Sequence, residues 1–93
     1  MVLNDEKYLI ELGKNIANRR KDLQCTQSDL AYAIGMEIPN LSVIENGKSN
    51  PQLLTLVKIA AALDCELADL LPSVIQFSKF LESPNMYRPR RHK

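Results

Sequence analysis

The chain has 93 residues, of which 45% are hydrophobic and 25% are charged, and its formal net charge is +1. This length gives one domain and excludes a second hydrophobic core, and the composition is typical of an ordinary globular protein. No apolar run approaches the roughly 20 residues needed to cross a bilayer. The N-terminal stretch MVLNDEKYLIELG lacks the basic and apolar regions of a secretory signal. We therefore expect a cytoplasmic protein that has no membrane partner.

Charge is unevenly distributed along the chain. The segment from Arg88 to Lys93 holds four of the twelve basic residues and no acidic residue, whereas residues 1–87 carry eight basic and eleven acidic residues. A body with a net charge of −3 argues against nucleic-acid binding by bulk charge alone. A polyanion would have to be bound by a local patch, by helix termini or by the basic tail. That tail either adds phosphate contacts or is only a solubilising end.

Catalytic and metal-binding chemistry has little support in the sequence. Cys25 and Cys65 belong to no Cys-x-x-Cys or Cys/His cluster, which predicts two small buried apolar residues, with neither a metal site nor a disulfide. The single histidine, His92, lies in the basic tail, and no Ser-x-x-Lys, Cys/His pair or glycine-rich phosphate loop is present. We expect no catalytic residues, no metal and no cofactor.

Capping signals and apolar spacing predict the first two helices. Asn4 is a helix N-cap residue, and the helix that follows is expected to run to about residue 22. Thr26 and Asp29 form an S/T-x-x-D/E capping box at the start of the second helix, and Gly35 ends that helix as a left-handed C-terminal residue. The apolar residues at helical spacing in the first helix are Leu9, Leu12, Ile16 and Leu23.

Three further helices are predicted in the second half of the chain. The third runs from about Ile38 to Glu45 and ends in the Asn46-Gly47 turn signal. Asn50-Pro51 is expected to open the fourth helix, and Glu66 to Leu71 forms the fifth. The residues expected to face the core from the third and fourth helices are Leu41, Ile44, Leu53, Leu56, Val57, Ala60 and Leu63.

An extra apolar segment follows Pro72. Its spacing at positions 74, 77 and 81 fits a helix, while positions 75 and 77 alone suit a strand. Because this segment lies outside a five-helix core that already looks complete, we expect it to mediate dimerisation. The residues concerned are Val74, Ile75, Phe77, Phe80 and Leu81. The predicted organisation is a folded domain at 1–72, a dimerisation segment at 73–83 and a flexible basic tail at 84–93.

Two of the predicted helices have the spacing of a helix-turn-helix, in the sequences QSDLAYAIG and MEIPNLSVIENG. In that arrangement the first helix crosses the phosphate backbone and the second lies in the DNA major groove, which is about 12 Å wide. The close approach of the two helices needs a small residue, here Ala31. The turn needs a residue that tolerates positive φ, here Gly35.

These residues are similar to those of the Cro/C1-type (XRE-like) helix-turn-helix transcriptional regulators. The resemblance runs from about Leu12 to Leu71 and rests on LGKNIANRR, TQSDLAYAIG, NLSVIENGKSNP and LLTLVKIAAALDCELADLL. It implies an all-α, five-helix, lambda-repressor-like DNA-binding domain, here with an extra C-terminal apolar segment. It also implies binding to double-stranded DNA, usually as a homodimer.

The resemblance assigns roles to particular residues. Gln27, Asn46 and Lys48 stand at positions that contact DNA phosphates, Gln27 with the help of the helix N-terminus. Arg20 and Glu45 match a partly buried salt bridge that joins the first helix to the recognition helix and has a structural role.

Base reading is where the chain departs from the family pattern. Positions that usually carry polar residues hold Ile38, Pro39 and Val43, none of which can form a bidentate bond to a base. Asn40 can read adenine, Glu37 can accept from a cytosine amino group, and Ile38 or Val43 can touch a thymine methyl. Alternatively, these side chains only cap and solvate the third helix. The candidate base-reading residues are Glu37, Ile38, Asn40, Ser42 and Val43.

The function expected from the sequence is a sequence-specific duplex-DNA-binding regulator, a homodimeric repressor that uses a recognition helix at about 38–45. Two alternatives stay open. The same fold can serve as a protein-interaction module, or as an antitoxin-like autorepressor with weak base reading and a partner protein that the sequence does not identify.

Overall fold

A computed structural model of the chain describes residues 4–73, which form five α-helices and no strand. The helices are α1 (Asp5–Asp22), α2 (Gln27–Ile34), α3 (Ile38–Glu45), α4 (Leu53–Ala62) and α5 (Leu67–Leu70). The prediction of an all-α, five-helix domain is confirmed.

The first two helices begin at the predicted N-cap residues. The side-chain oxygen of Asn4 accepts a hydrogen bond from the backbone N–H of Lys7 at 3.2 Å. Thr26 accepts from the backbone N–H of Asp29 at 2.9 Å, and Asp29 accepts from the backbone N–H of Thr26 at 3.1 Å. This reciprocal capping box satisfies two of the backbone donors that a helix start leaves unpaired.

The predicted start of α4 is wrong by two residues. Gln52 is the N-cap residue and has an extended backbone, with φ −68° and ψ 153°, so the chain becomes helical only at Leu53. Asn50 therefore does not cap this helix. The fifth helix is also shorter than predicted: Glu66 is its N-cap and Leu70 is its last residue.

Helices α1 to α4 are each followed, within two residues, by a left-handed residue. Positive φ occurs at Gln24 (56°), Gly35 (69°), Gly47 (73°) and Asp64 (55°). In each case the next backbone N–H reaches back to a carbonyl five residues earlier, at 2.8–3.0 Å. Such hydrogen bonds satisfy carbonyls that a helix end leaves unpaired. The two glycine endings were predicted, and the endings at Gln24 and Asp64 were not.

The core lies where the helices meet. Its buried apolar residues are Leu12, Ile16, Leu30, Ala31, Leu41, Ile44, Leu56, Ile59, Ala60, Leu63 and Leu70. The buried stripe of α4 consists of residues 56, 59, 60 and 63, which share one face of a helix. Leu53 and Val57 lie beside this stripe and are exposed, so their predicted core positions are wrong. Cys25 and Cys65 are free thiols that are only half-buried.

Two polar side chains of α1 form hydrogen bonds to the C-terminal ends of α4 and α5. Arg19 donates to the carbonyl oxygens of Leu63 at 3.0 Å and Asp64 at 2.8 Å. Asn15 donates to the carbonyl oxygen of Leu70 at 2.9 Å. These bonds satisfy carbonyls around the end of α4 and the end of α5, and they hold α1 as the element against which both α3 and α5 pack.

The residues predicted to mediate dimerisation and the predicted basic tail at 84–93 lie outside the described residues. The former are Val74, Ile75, Phe77, Phe80 and Leu81. Within residues 4–73, no helix is long and apolar enough to cross a membrane.

Candidate nucleic-acid interface

The turn between α2 and α3 has the geometry of a helix-turn-helix. Gly35 adopts φ 69° and ψ 36°, and the backbone N–H of Met36 donates to the carbonyl of Ala31 at 2.8 Å. Ala31 is only 1% exposed, because α3 and α4 both pack against α2. Glu37 is extended and is the N-cap of α3. A small residue in α2 and a left-handed glycine therefore set the angle between the two helices.

The inner face of α3 is fixed by close packing against α1. Leu41 and Ile44 are buried, as predicted. On the α1 side, a Cβ added to Gly13 would lie 2.6 Å from the carbonyl oxygen of Ile44 and would also contact that of Glu45. Only glycine permits this approach of α1 to the end of α3. The position of α3 thus depends on a residue that no sequence signal singled out.

Arg20 and Glu45 lie in contact between α1 and α3. The guanidinium donates from Nε to Glu45 Oε2 at 2.8 Å and from Nη2 to Oε1 at 2.9 Å. A third donor, Nη1, bonds the carbonyl of Cys25 at 2.9 Å. The hydrogen bonds to Glu45 raise the pKa of Arg20 above its ordinary value. The pair joins α1, the loop before α2 and the end of α3 in one network.

Gln27 belongs to the same network. Its side-chain Nε2 donates to Glu45 Oε1 at 2.9 Å, and Gln27 is the first residue of α2. One amide hydrogen is therefore used inside the protein. A phosphate contact at Gln27 would use its backbone N–H, which lies at the helix N-terminus, or its second amide hydrogen.

The other two candidate phosphate contacts lie just beyond α3. Asn46 and Lys48 are both exposed. The side chain of Asn46 donates to Ser42 Oγ at 3.4 Å, and the backbone N–H of Lys48 donates to the carbonyl of Val43 at 3.0 Å. A groove of about 490 Å³ brings Asn46 and Lys48 beside Asp5 and Glu6 of α1. The local positive charge is therefore flanked by acidic residues.

The outward face of α3 is mainly apolar. Ile38 and Val43 are 45% and 39% exposed, and Pro39 is also exposed. Asn40 and Glu37 are exposed beside them, whereas Ser42 is half-buried and accepts the bond from Asn46. Pro39 and Val43 each lie two positions from the buried Leu41, about 200° around the helix. They therefore occupy the centre of the exposed face, with the polar candidates on its flanks.

Comparison with known proteins agrees with this geometry. The helix-turn-helix family matches residues 16–70, which are more than half of the chain. The chain is 38% identical over 66 residues to the ImmF control region 10 kDa protein of Bacillus phage phi105, over 71% of this chain and 73% of that protein. It is 33% identical over 61 residues to the cryptic phage CTXphi transcriptional repressor RstR of Vibrio cholerae, over 66% of this chain and 54% of that protein.

Solved structures show the same fold. The restriction-modification controller protein C.AhdI from Aeromonas hydrophila is 28% identical, with a TM-score of 0.66 over 68% of this chain and 96% of that one. SinR, the master regulator for biofilm formation solved in complex with DNA, is 35% identical, with a TM-score of 0.60 over 63% of this chain and 95% of that one. The chain belongs to the helix-turn-helix family of transcriptional regulators.

Proposed function

We propose that this protein is a transcriptional repressor that binds a specific duplex-DNA site as a homodimer and has no catalytic role. In this proposal α3 enters the major groove and α2 lies across the phosphate backbone. The observation that carries this proposal is that α3 is held firmly on one side and exposed on the other. Its inner face is held by core packing and by the Arg20–Glu45 pair, while its outer face is exposed and free of basic or acidic side chains from Ile38 to Ile44.

Three residues are proposed to bind phosphates. Gln27 presents the N-terminus of α2, and Asn46 and Lys48 are exposed in the loop after α3. Gln27 bonds Glu45, the last residue of the proposed recognition helix, and Asn46 and Lys48 follow that residue, so all three positions lie at the C-terminal end of this helix. Contacts to phosphates fix the orientation of a protein on DNA without reading its sequence. Because Asp5 and Glu6 border the same groove as Lys48, we infer a modest affinity, which falls as salt is raised in proportion to the number of phosphates neutralised.

Dimerisation through the segment 73–83 remains part of the proposal. Its support is the apolar sequence of that segment and the two-fold symmetry that DNA sites of such regulators share with their proteins. In a dimer that binds adjacent major grooves, the two copies of α3 lie about 34–36 Å apart.

One observation favours a second function. The exposed apolar face of α3 and the acidic body of the domain also suit a protein-interaction module, or an antitoxin-like autorepressor that binds a partner protein. A pure interaction module has little salt-dependent affinity for DNA, whereas either kind of repressor has a clear one.

Selection from a random duplex library, followed by measurement of affinity at two salt concentrations, tests the proposal. Enrichment of a two-fold-related sequence supports the homodimeric regulator, and its half-site spacing reports the dimer geometry. Salt-dependent binding without enrichment overturns sequence-specific recognition. Absence of binding at low salt overturns DNA binding altogether and leaves the interaction module. Sedimentation that gives a monomer at tens of micromolar overturns the dimer.

A further inference from the structure

We propose that α3 reads DNA mainly through thymine methyl groups, by an apolar ridge formed by Ile38, Pro39 and Val43. This inference rests on the proposed function and specifies the chemistry of its recognition step. It assigns a reading role to Pro39, which stands at a position that usually carries a polar residue but was not among the candidate base-reading residues, and it makes Val43 the central contact.

The ridge follows from the placement of α3 in the domain. Leu41, Ile44 and Glu45 are buried and fix one side of the helix against α1 and α2. Pro39 and Val43 are four residues apart, so they lie one above the other on the opposite side. Ile38, which precedes Pro39 at the start of the helix and lies towards the edge of this face, is 45% exposed. A proline is tolerated there because the first turn does not use its missing N–H.

Few side chains of α3 can form hydrogen bonds to DNA bases. A bidentate bond to guanine needs Arg or Lys, and the sequence IPNLSVIE of α3 contains neither. Ser42 is half-buried and accepts a hydrogen bond from Asn46. Asn40 is exposed on the flank and remains suited to adenine, and Glu37 at the N-cap repels nearby phosphates. The side chains at the centre of the exposed face, Pro39 and Val43, are thus both apolar.

The major groove offers one apolar group, the C5-methyl of thymine. Burial of a methyl against Val43 or Pro39 removes apolar surface from water on both partners. Removal of one such methyl is expected to weaken binding about fourfold. A site read in this way has thymines on successive base pairs opposite the ridge, and the paired adenines suit Asn40.

The test uses the full-length protein and a duplex obtained by selection. Each thymine of that duplex is replaced in turn by deoxyuridine, which lacks only the C5-methyl and keeps the same pairing edge. We expect a loss of about fourfold at one or more thymines in each half-site, and no change at thymines outside the half-sites. Selection of a duplex at all reports on the proposed function separately from this result.

Val43→Ala identifies the side chain that reads the methyl. Val43 is 39% exposed, and alanine is the stronger helix former, so the variant is expected to stay folded. In this variant, deoxyuridine at the affected position should no longer weaken binding. Leu54→Ala removes an apolar side chain of α4 that is 68% exposed, and it should leave the deoxyuridine profile unchanged.

Three results would contradict methyl reading by α3, and they differ in what they imply for DNA binding. If the selected duplex binds and every deoxyuridine substitution is neutral, methyl reading is wrong while the DNA-binding function stands. If deoxyuridine weakens binding equally in the wild type and in Val43→Ala, Pro39→Ala and Ile38→Ala variants, the methyl acts through DNA shape and the ridge is wrong. If no duplex is selected and none is bound at low salt, the proposed function fails and the exposed face of α3 belongs to a protein contact.

Discussion

Arg20 and Glu45 face each other through two hydrogen bonds, of 2.8 Å and 2.9 Å, between α1 and the last residue of α3. Their side chains are only 10% and 5% exposed. The carboxylate of Glu45 also accepts a bond from Gln27 at the start of α2. Three helices therefore share one buried charge pair, and both helices of the helix-turn-helix are tied to α1 by it.

Removal of one partner of this pair should be strongly destabilising. Glu45→Ala leaves the guanidinium of Arg20 in the interior without its counter-charge, and we expect a loss of about 3–5 kcal/mol in the free energy of unfolding. Urea denaturation followed by circular dichroism measures it. The double variant Arg20→Met/Glu45→Leu is the control, because apolar residues of similar size leave no unpaired charge. A double variant as unstable as the single one would contradict this account.

Gly35→Ala and Gly47→Ala form a matched pair of substitutions. Both glycines have positive φ, 69° and 73°, and the left-handed conformation costs an alanine about 1 kcal/mol. A Cβ on Gly35 meets nothing within 4 Å, whereas one on Gly47 would lie 2.6 Å from Cα of Ile10. We expect Gly47→Ala to lose a further 1–3 kcal/mol or so from overpacking.

Urea midpoints of the two variants give the difference directly, since the backbone strain is common to both. Equal losses would mean that the loop after α3 moves away from α1 without cost. In that case the close packing of Gly47 on Ile10 would not fix the position of the neighbouring Lys48.

Glycine should stabilise the two left-handed positions that lack it. Gln24 and Asp64 have φ 56° and 55°, and we expect Gln24→Gly and Asp64→Gly to gain about 0.5–1 kcal/mol each. Gln24 should gain more, because aspartate adopts this conformation more readily than glutamine. Arg19 bonds the backbone oxygen of Asp64, so that contact survives the substitution.

Thermal unfolding measures both gains, and Asp64→Asn separates the effect of charge from that of backbone conformation. Should both glycine variants melt at or below the wild-type temperature, backbone strain at these helix ends would not be a cost to the native state.

Local signals in the sequence predicted much of this fold. Asn4, the Thr26–Asp29 box and Gly35 end or begin helices through contacts within four residues, so their patterns are readable without tertiary information. The endings at Gln24 and Asp64 carry no such signal, because a residue other than glycine occupies the left-handed position there. The predicted start of α4 is two residues early because Gln52 stays extended and the helix begins only at Leu53, although Asn-Pro is a common helix opening.

In the candidate site, too, some features could be predicted from the sequence and others only from the structure. The resemblance gave the positions of Gln27, Glu45 and Lys48, and the structure gives their surroundings. That Gly13 permits the close approach of α1 to α3 cannot be read from local sequence, because it depends on a contact with a helix more than 25 residues away. Likewise, Leu53 and Val57 are exposed because only residues 56, 59, 60 and 63 of this part of the chain are buried in the core, and the local sequence does not show where that buried stripe ends.

Asp29 should give a measurable dependence of stability on pH. Hydrogen bonds from the backbone and side chain of Thr26 lower the pKa of Asp29 below its ordinary value. A carboxyl whose pKa is lower in the folded state stabilises the fold above its unfolded pKa of about 3.9, and this contribution is lost as the pH falls through the folded value. Asp29→Asn should therefore be less stable than the wild type at pH 6, and the difference should shrink towards pH 3.

Urea midpoints of both proteins at several pH values measure that difference, in which the titration of other carboxyl groups cancels. A difference that stays constant between pH 6 and pH 3 would mean that the charge of Asp29 does not contribute to the cap. Thr26→Ala complements it, because it removes the hydroxyl oxygen that accepts from the backbone N–H of Asp29 and should cost about 1 kcal/mol at pH 6.

Lys48 offers the sharpest test of phosphate binding. It is exposed in the loop after α3, where its ammonium group would neutralise one DNA phosphate and release one condensed counterion. Lys48→Ala should weaken binding to all duplexes alike and reduce the slope of log affinity against log salt by about 0.9. Lys14→Ala is the matched control. It also removes one positive charge, but the ammonium of Lys14 lies 3.7 Å from Glu11 on α1.

If Lys48→Ala and Lys14→Ala reduce the slope equally, DNA responds to the net charge of the domain and the assignment of Lys48 as a phosphate contact is wrong. If only Lys48→Ala does so, the loop after α3 lies against the backbone, which in turn places the exposed side of α3 towards the groove.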